Sequence, residues 1–149
     1  MSEWEPKIAV FLCQWALKSD AAWEQRLDLA ENVRVVQAPC SGRINPLLLI
    51  SALQHGADGV LVVGCEPGHC HYKEGNYVGR RKFATLHSFL QLLGVKEERI
   101  RFVWLSETES CSYPEQVKRL QRDIQELGPF ELARRETIPC VVPARSVAE

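Results

Sequence analysis

Four short apolar runs recur along the chain, and longer segments with helical spacing separate them. The runs cover residues 7–12, 33–38, 60–63 and 100–105. They are rich in β-branched residues and too short for helices of ordinary length, so each run predicts a β-strand. An uninterrupted run such as VLVV at 60–63 is typical of a strand that is buried on both faces.

The separating segments predict four helices. Their approximate bounds are 19–31, 46–55, 78–93 and 114–127. Asn45 followed by Pro46 is a strong helix start, because the asparagine side chain caps the first turn and proline fits within that turn. Glycines predict where three of these helices stop: Gly56, Gly94 and Gly128.

Strands that alternate with helices of this length form right-handed βαβ units, which build a parallel sheet with helices on both faces. We therefore predict an α/β fold, a small three-layer sandwich with a four-stranded, mainly parallel, flavodoxin-like sheet in the order 2-1-3-4. One domain is expected over 1–129. The tail at 130–149 has no clear periodicity, and it predicts either a late strand near 138–142 or an arm that binds another subunit.

Composition narrows the class of protein. The chain has 149 residues, 46% of them hydrophobic, which is enough for one domain with a real core. Its formal net charge of -1 favours neither nucleic acid nor an anionic membrane as a partner. The charged N-terminus lacks the apolar segment of a signal peptide, and no run is long enough to span a bilayer, so we expect a cytoplasmic protein.

Cysteines follow three of the four predicted strands. In a reducing compartment, the six cysteines of the chain indicate metal binding or thiol chemistry rather than a disulfide framework. Cys13, Cys40 and Cys65 come just after the first, second and third strands, and Cys70 lies in the loop after the third. Because the carboxyl ends of parallel strands share one edge of a sheet, we expect all four thiols to meet there.

Four converging thiolates suit either an iron–sulfur cluster or a structural zinc ion. Zinc sites usually draw on Cys-x2-Cys knuckles, and the spacing from Cys65 to Cys70 is wider than that, which favours a cluster. Three nearby glycines are expected to let backbone N–H groups approach the sulfurs: Gly42, Gly64 and Gly68.

Several long motifs around these cysteines resemble one known family. They are CQW at 13–15, PCSGR at 39–43, ADGVLVVGCEPGHCHYKEGNY at 57–77, and a helix that opens with Arg80-Arg81. These motifs resemble the MvhD family, the iron–sulfur delta subunit of viologen-reducing hydrogenase, and the similarity runs from about residue 8 to about residue 128.

The resemblance implies a [2Fe-2S] cluster, for which the chain offers Cys13, Cys40, Cys65 and Cys70 as ligands. It also implies a non-catalytic electron-transfer subunit of an oxidoreductase complex. The upstream partner would be a hydrogenase, a formate dehydrogenase or a similar oxidoreductase. The downstream partner would be the flavin-containing subunit of a heterodisulfide-reductase-like complex.

The chain departs from the family pattern at one position. The family usually shows Cys-x-x-Cys after the first strand, and here the second of these positions is Ala16. Four thiolates remain without it, so the fifth family cysteine is either not a ligand or is replaced. Cys111, in the loop after the fourth strand, is the only obvious substitute, and Cys140 is interpreted as structural or incidental.

Other interpretations of the cysteines stay open. A zinc-stabilised adaptor with no redox role would use the same four thiols. A thiol oxidoreductase that uses Cys65 and Cys70 would leave Cys13 and Cys40 unexplained.

The residues around the cysteines also have two interpretations each. His69 and His71 flank Cys70, and they are more often hydrogen-bond donors or solvated side chains than ligands. Trp15 either shields the site or packs in the ordinary way. A basic cluster is either a solvated surface or a docking surface for an acidic partner: Arg43, Lys73, Arg80, Arg81 and Lys82.

Overall fold

A four-stranded parallel sheet forms the centre of the molecule. The computed structural model describes residues 4–17, 30–106 and 113–131. The strands are β1 (Ile8–Cys13), β2 (Val33–Ala38), β3 (Gly59–Cys65) and β4 (Ile100–Leu105). Their spatial order is β2-β1-β3-β4 and all three pairings are parallel, which confirms the predicted fold class and strand order.

Three α-helices are described, with two short 3-10 helices between the other elements. The helices are α1 (Pro46–Gln54), α2 (Gly75–Leu92) and α3 (Tyr113–Leu127), and the 3-10 helices are η1 (Ser41–Arg43) and η2 (Glu97–Arg99). The helix predicted at 19–31 falls almost entirely outside the described residues. So do Cys111, Cys140 and the predicted late strand at 138–142.

Side chains pack on both faces of the sheet, and this gives the three layers. Leu120 and Ile124 of α3 pack on one face with residues of β1 and β3. Leu49 of α1 and Leu86 of α2 pack on the other face. β1 and β3 lie in the middle of the sheet, and all seven residues of β3 are buried, as the uninterrupted apolar run predicts.

The helix boundaries follow local chemistry. Asn45 caps α1, where its side-chain oxygen accepts a hydrogen bond from the Leu47 N–H at 3.0 Å. The predicted stop at Gly56 holds a positive φ of 99° just after the helix. The α2 helix begins at Gly75, three residues before the predicted start near Val78, although Glu74 provides no side-chain cap there.

A charged network fastens the amino ends of the strands. Asp58, directly before β3, accepts hydrogen bonds from the Lys7 N–H at 2.9 Å and the Phe130 N–H at 2.8 Å. Arg99 donates to the Asp58 carbonyl at 3.0 Å and to the Gly128 carbonyl at 2.9 Å. The segment after α3 is therefore held at the edge of the sheet opposite the cysteines. None of the helices in the described ranges is long and apolar enough to cross a membrane.

Candidate metal centre

The carboxyl ends of β1 and β3 bring two thiols into contact. Cys13 is the last residue of β1 and Cys65 is the last residue of β3, and these strands are neighbours in the sheet. Their Sγ atoms lie 3.7 Å apart, and both side chains are buried. The sequence predicted this meeting from strand ends alone.

A second pair of thiols lies at the start of α2. Cys40 directly precedes η1, and Cys70 lies in the loop between β3 and α2. Both sulfurs face Gly75, where an added Cβ atom would overlap Cys40 Sγ and lie 3.4 Å from Cys70 Sγ. Cys40 is buried and Cys70 is partly exposed, so the four thiols form two pairs at one end of the sheet.

The two pairs interact electrostatically. The hydrogen bond from Cys65 lowers the pKa of Cys13 to about 6, with burial acting in the opposite direction. The same hydrogen bond, together with burial, raises the pKa of Cys65. Burial raises the pKa of Cys40, and the neighbouring thiols of Cys70 and Cys13 raise it further. Mutual repulsion therefore opposes four thiolates in this space, and a bound cationic centre would remove that opposition.

Backbone N–H groups point at the sulfurs. Gly42 N–H donates to Cys40 Sγ at 3.4 Å, which agrees with the expectation for this glycine. Backbone hydrogen bonding at Trp15, Ser41 and Ala16 also lowers the pKa of Cys13. Such bonds favour the thiolate, the form in which cysteine binds a metal.

The other two glycines singled out by sequence have different roles. Among the described residues, neither the Gly64 nor the Gly68 N–H donates to a sulfur. Gly64 leaves room for Ser41, because a Cβ atom there would lie 3.0 Å from the Ser41 hydroxyl. Gly68 holds a positive φ of 84° in the loop and has open space around it.

Gly75 is a residue near the thiols that sequence reasoning missed. Its lack of a side chain lets Cys40 and η1 approach the first turn of α2. Gly42 contacts it from the other side, since a Cβ atom at Gly42 would lie 2.5 Å from the Gly75 carbonyl oxygen. One turn further along α2, a Cβ atom at Gly79 would lie 3.0 Å from the Ser41 backbone. The G-x3-G spacing of Gly75 and Gly79 was the available signal.

Asn76 ties the start of α2 to the end of β3. The side chain is completely buried, and its Nδ2 donates to the Cys65 carbonyl at 3.1 Å and to the Glu66 carbonyl at 2.9 Å. These bonds fix the backbone that carries Cys65 against the helix that faces Cys40. Sequence reasoning placed Asn76 in the preceding loop and assigned it no role.

Aromatic rings join the two loops that carry cysteines. Trp15, after β1, stacks on His71, after β3, with ring centroids 3.7 Å apart and planes 9° apart. His71 in turn contacts Tyr72 edge to face, with centroids 4.9 Å apart. His69 pairs with Glu66, and its Nδ1 lies 3.1 Å from the carboxylate. The structure thus engages both histidines with other side chains.

Ala16 lies in the core beside Cys13. It is 4% exposed and belongs to the apolar cluster that contains Cys13, Cys65 and Tyr113. Position 16 therefore lies close to the thiols in the fold.

No group of three or more His, Cys, Asp or Glu side chains within the described ranges is arranged to hold a metal ion.

Three residues of the predicted basic cluster contact two different parts of the molecule. Lys82 donates to the Gly42 carbonyl at 2.9 Å, and with Arg43 it lines a cleft beside Cys40. The Arg80 guanidinium lies over the Trp104 ring, 5.0 Å from its centroid, on the β4 side of the helix.

Comparisons with known proteins agree with the geometry. The model of the family described as methyl-viologen-reducing hydrogenase, delta subunit, matches residues 8–128. The chain is 43% identical over 134 residues to an iron-sulfur subunit of the F420-non-reducing hydrogenase of Archaeoglobus profundus, covering 89% of this chain and 98% of that protein. It is 37% identical over 131 residues to the iron-sulfur subunit of the F420-non-reducing hydrogenase vhc of Methanococcus voltae, covering 87% and 91%.

A third relative is much longer. The chain is 34% identical over 136 residues to a subunit of the ferredoxin:CoB-CoM heterodisulfide reductase of Methanosarcina mazei, and the match covers 89% of this chain but only 17% of that protein. In that relative, a stretch similar to almost the whole of this chain is one part of a larger polypeptide. Every described helix and strand lies inside the range that the family model matches, and the chain belongs to the family of the methyl-viologen-reducing hydrogenase delta subunit.

Proposed function

We propose that this chain is an electron-transfer subunit that holds a [2Fe-2S] cluster on Cys13, Cys40, Cys65 and Cys70. In this proposal it relays electrons between an oxidoreductase, such as a hydrogenase or formate dehydrogenase, and the flavin subunit of a heterodisulfide-reductase-like complex. The observation that carries the proposal is the arrangement of the four thiols as two pairs at one edge of the sheet.

Two pairs of thiols are what a two-iron cluster needs, since each iron takes two cysteines. Thiolates about 2.3 Å from a tetrahedral metal lie roughly 3.7 Å apart. Cys13 and Cys65 already have this separation, with 3.7 Å between their Sγ atoms. Cys40 and Cys70 both face Gly75, and they would bind the second iron. The names of the relatives as iron-sulfur subunits support iron over zinc.

The described residues would hold and insulate the cluster. Three of the four thiols are buried, and the stacked Trp15 and His71 rings join the loops that carry Cys13 and Cys70. The Gly42 N–H that points at Cys40 would stabilise negative charge on its sulfur. The cluster, when bound, supplies a one-electron carrier. A single carrier of this kind relays electrons and does not perform hydride chemistry by itself.

The long relative supports the proposed partner. A stretch similar to this chain occurs within a protein that is named as part of a heterodisulfide reductase. Domains joined in one polypeptide commonly act on one another, so a separate chain of the same family is expected to dock on a separate protein of that type.

Spectroscopy of the anaerobically purified full chain tests the cluster. We expect a brown protein whose reduced form gives the electron paramagnetic resonance signal of a one-electron-reduced [2Fe-2S] centre. A colourless protein that carries one zinc ion would instead establish the adaptor.

Kinetics test the relay. The isolated chain should accept electrons from a reduced viologen and show no turnover of hydrogen, formate or a disulfide. When a heterodisulfide-reductase-type flavoprotein is added, reduced chain should pass electrons to it. Turnover by the chain alone would contradict the relay.

A further inference from the structure

A cleft opens beside the cysteine pair at the start of α2. Its volume is about 800 Å³, and its lining includes Cys40, Gly75, Arg43 and Lys82. The cleft reaches this cysteine pair, because Cys40 and Gly75 both form part of its wall.

The walls of this cleft are apolar and positive. Pro39, Tyr72 and Val78 supply apolar surface, and Tyr72 is 53% exposed. Two cations and no carboxylate belong to the lining. The amino end of α2 also opens here, and a helix carries partial positive charge at that end. The cleft is therefore complementary to an acidic segment with some apolar character.

The side chains of the two cations differ in how strongly other groups constrain them. Lys82 is held by the Gly42 carbonyl, so its charge has a fixed position at the wall. Arg43 is exposed, and no other described residue pairs with its guanidinium. An exposed arginine with no partner is free to form a two-pronged hydrogen bond with a carboxylate of another protein.

Ring contacts with neighbouring side chains hold Tyr72 in the wall of the cleft. Its ring contacts His71, which stacks on Trp15, so three rings connect the wall of the cleft to the loop after β1. The cleft is thus built from the same loops that hold the thiols. A partner bound in the cleft would therefore contact Cys40 and its neighbour in the chain, Pro39.

We propose that this cleft is where the flavin subunit of the proposed relay docks, through a carboxylate-bearing segment that Arg43 and Lys82 recognise. The inference rests on the proposed relay function and names the surface that the relay uses. One electron passes between the cysteine-held centre and the redox group of the partner, with no bond formed or broken. Arg80, which lies over the Trp104 ring of β4, is not part of this surface.

Charge reversal on one side of the molecule tests the assignment. Arg43→Glu is compared with Arg122→Glu, which changes an exposed arginine on α3, the helix that covers the other face of the sheet. The probe is a separately purified flavin-containing protein of the heterodisulfide-reductase type. Stopped-flow measurement follows oxidation of the pre-reduced chain by this protein at low and at raised ionic strength.

We expect Arg43→Glu to slow the second-order transfer rate by roughly 10-fold or more at low ionic strength and to flatten its salt dependence. Arg122→Glu should stay within about twofold of the unmodified chain. Iron content and reduction by viologen should be unchanged in both variants. Val78→Trp adds a steric test, because it fills the cleft without changing charge and should slow transfer as well.

Three outcomes are distinguishable. Slowing by Arg43→Glu and Val78→Trp, with Arg122→Glu unaffected, supports the cleft. Equal rates for all variants, with normal transfer by the unmodified chain, overturn the cleft and leave the relay intact. An unmodified chain that passes no electrons to the flavoprotein overturns the relay, and the cleft assignment falls with it.

Discussion

The two edges of the sheet are built in contrasting ways. At the amino ends of the strands, Asp58 and Arg99 form a charged network with backbone groups. At the carboxyl ends, four thiols are brought together by glycines that allow unusually close approaches. At the amino ends, backbone groups form hydrogen bonds with both charged side chains. At the carboxyl ends, the four thiols would repel one another as thiolates. This contrast separates residues that stabilise the fold from residues suited to hold a metal.

The largest expected effect follows from removing a thiol at the cysteine edge. Cys65→Ser should abolish stable iron binding, because Cys65 is buried against Cys13 and no spare thiol lies among the described residues at this position. Iron and sulfide per chain measure the loss. A variant that retains both at the level of the unmodified chain would remove Cys65 from the ligand set.

The next effect tests the close approach at Gly75. Gly75→Ala places a methyl group on Cys40 Sγ, so we expect the thiol to be displaced and iron affinity to fall roughly 10-fold or more. Gly56→Ala is the matched control. The added methyl group would meet no other atom there, and the alanine would be strained only by the positive φ of this position. The control should lower the unfolding temperature and leave the iron content unchanged. Normal iron content in Gly75→Ala would contradict the proposed second pair.

The opposite edge should respond in stability alone. Asp58→Ala removes the carboxylate that accepts from the Lys7 and Phe130 N–H groups, and should lower the free energy of unfolding by about 2–3 kcal/mol. Denaturant unfolding measures this change. Iron content of the folded variant should match the unmodified chain, and a selective loss of iron would show that the two edges are coupled.

The smallest effect is expected at the position where the family pattern is broken. Ala16→Cys should leave iron content nearly unchanged, because four other thiols complete the proposed coordination. The larger side chain in a packed core should cost about 1 kcal/mol. Metal analysis checks the first statement and thermal unfolding the second. If Cys111→Ser also empties the site, the ligand set must include the loop after β4.

The comparison of edges also shows what the sequence could predict. The bounds of β2 and β4 and the strand order follow from apolar runs and their alternation with helices. The meeting of Cys13 and Cys65 follows from their places at the ends of strands that pair in parallel. These features depend on local pattern and on one general rule of topology, so a single sequence contains them.

Contacts between segments that are distant in the chain could not be predicted from such rules. Gly75 and Gly42 are 33 residues apart in the chain, and nothing in the local pattern of either residue announces their contact. The stacking of Trp15 on His71 and the bonds of Asn76 to the end of β3 arise in the same way. The early start of α2 was missed for this reason, because Gly75 is selected by the approach of Cys40 rather than by helix propensity.

Native mass spectrometry of the anaerobically purified chain tests the central claim most directly, because one spectrum reports the composition of whatever the four thiols hold. We predict a bound mass equal to two irons and two sulfides per chain, which is lost in Cys65→Ser and retained in Asp58→Ala. A chain that carries a single zinc ion, or that carries the same iron and sulfide after Cys65→Ser, would contradict the account.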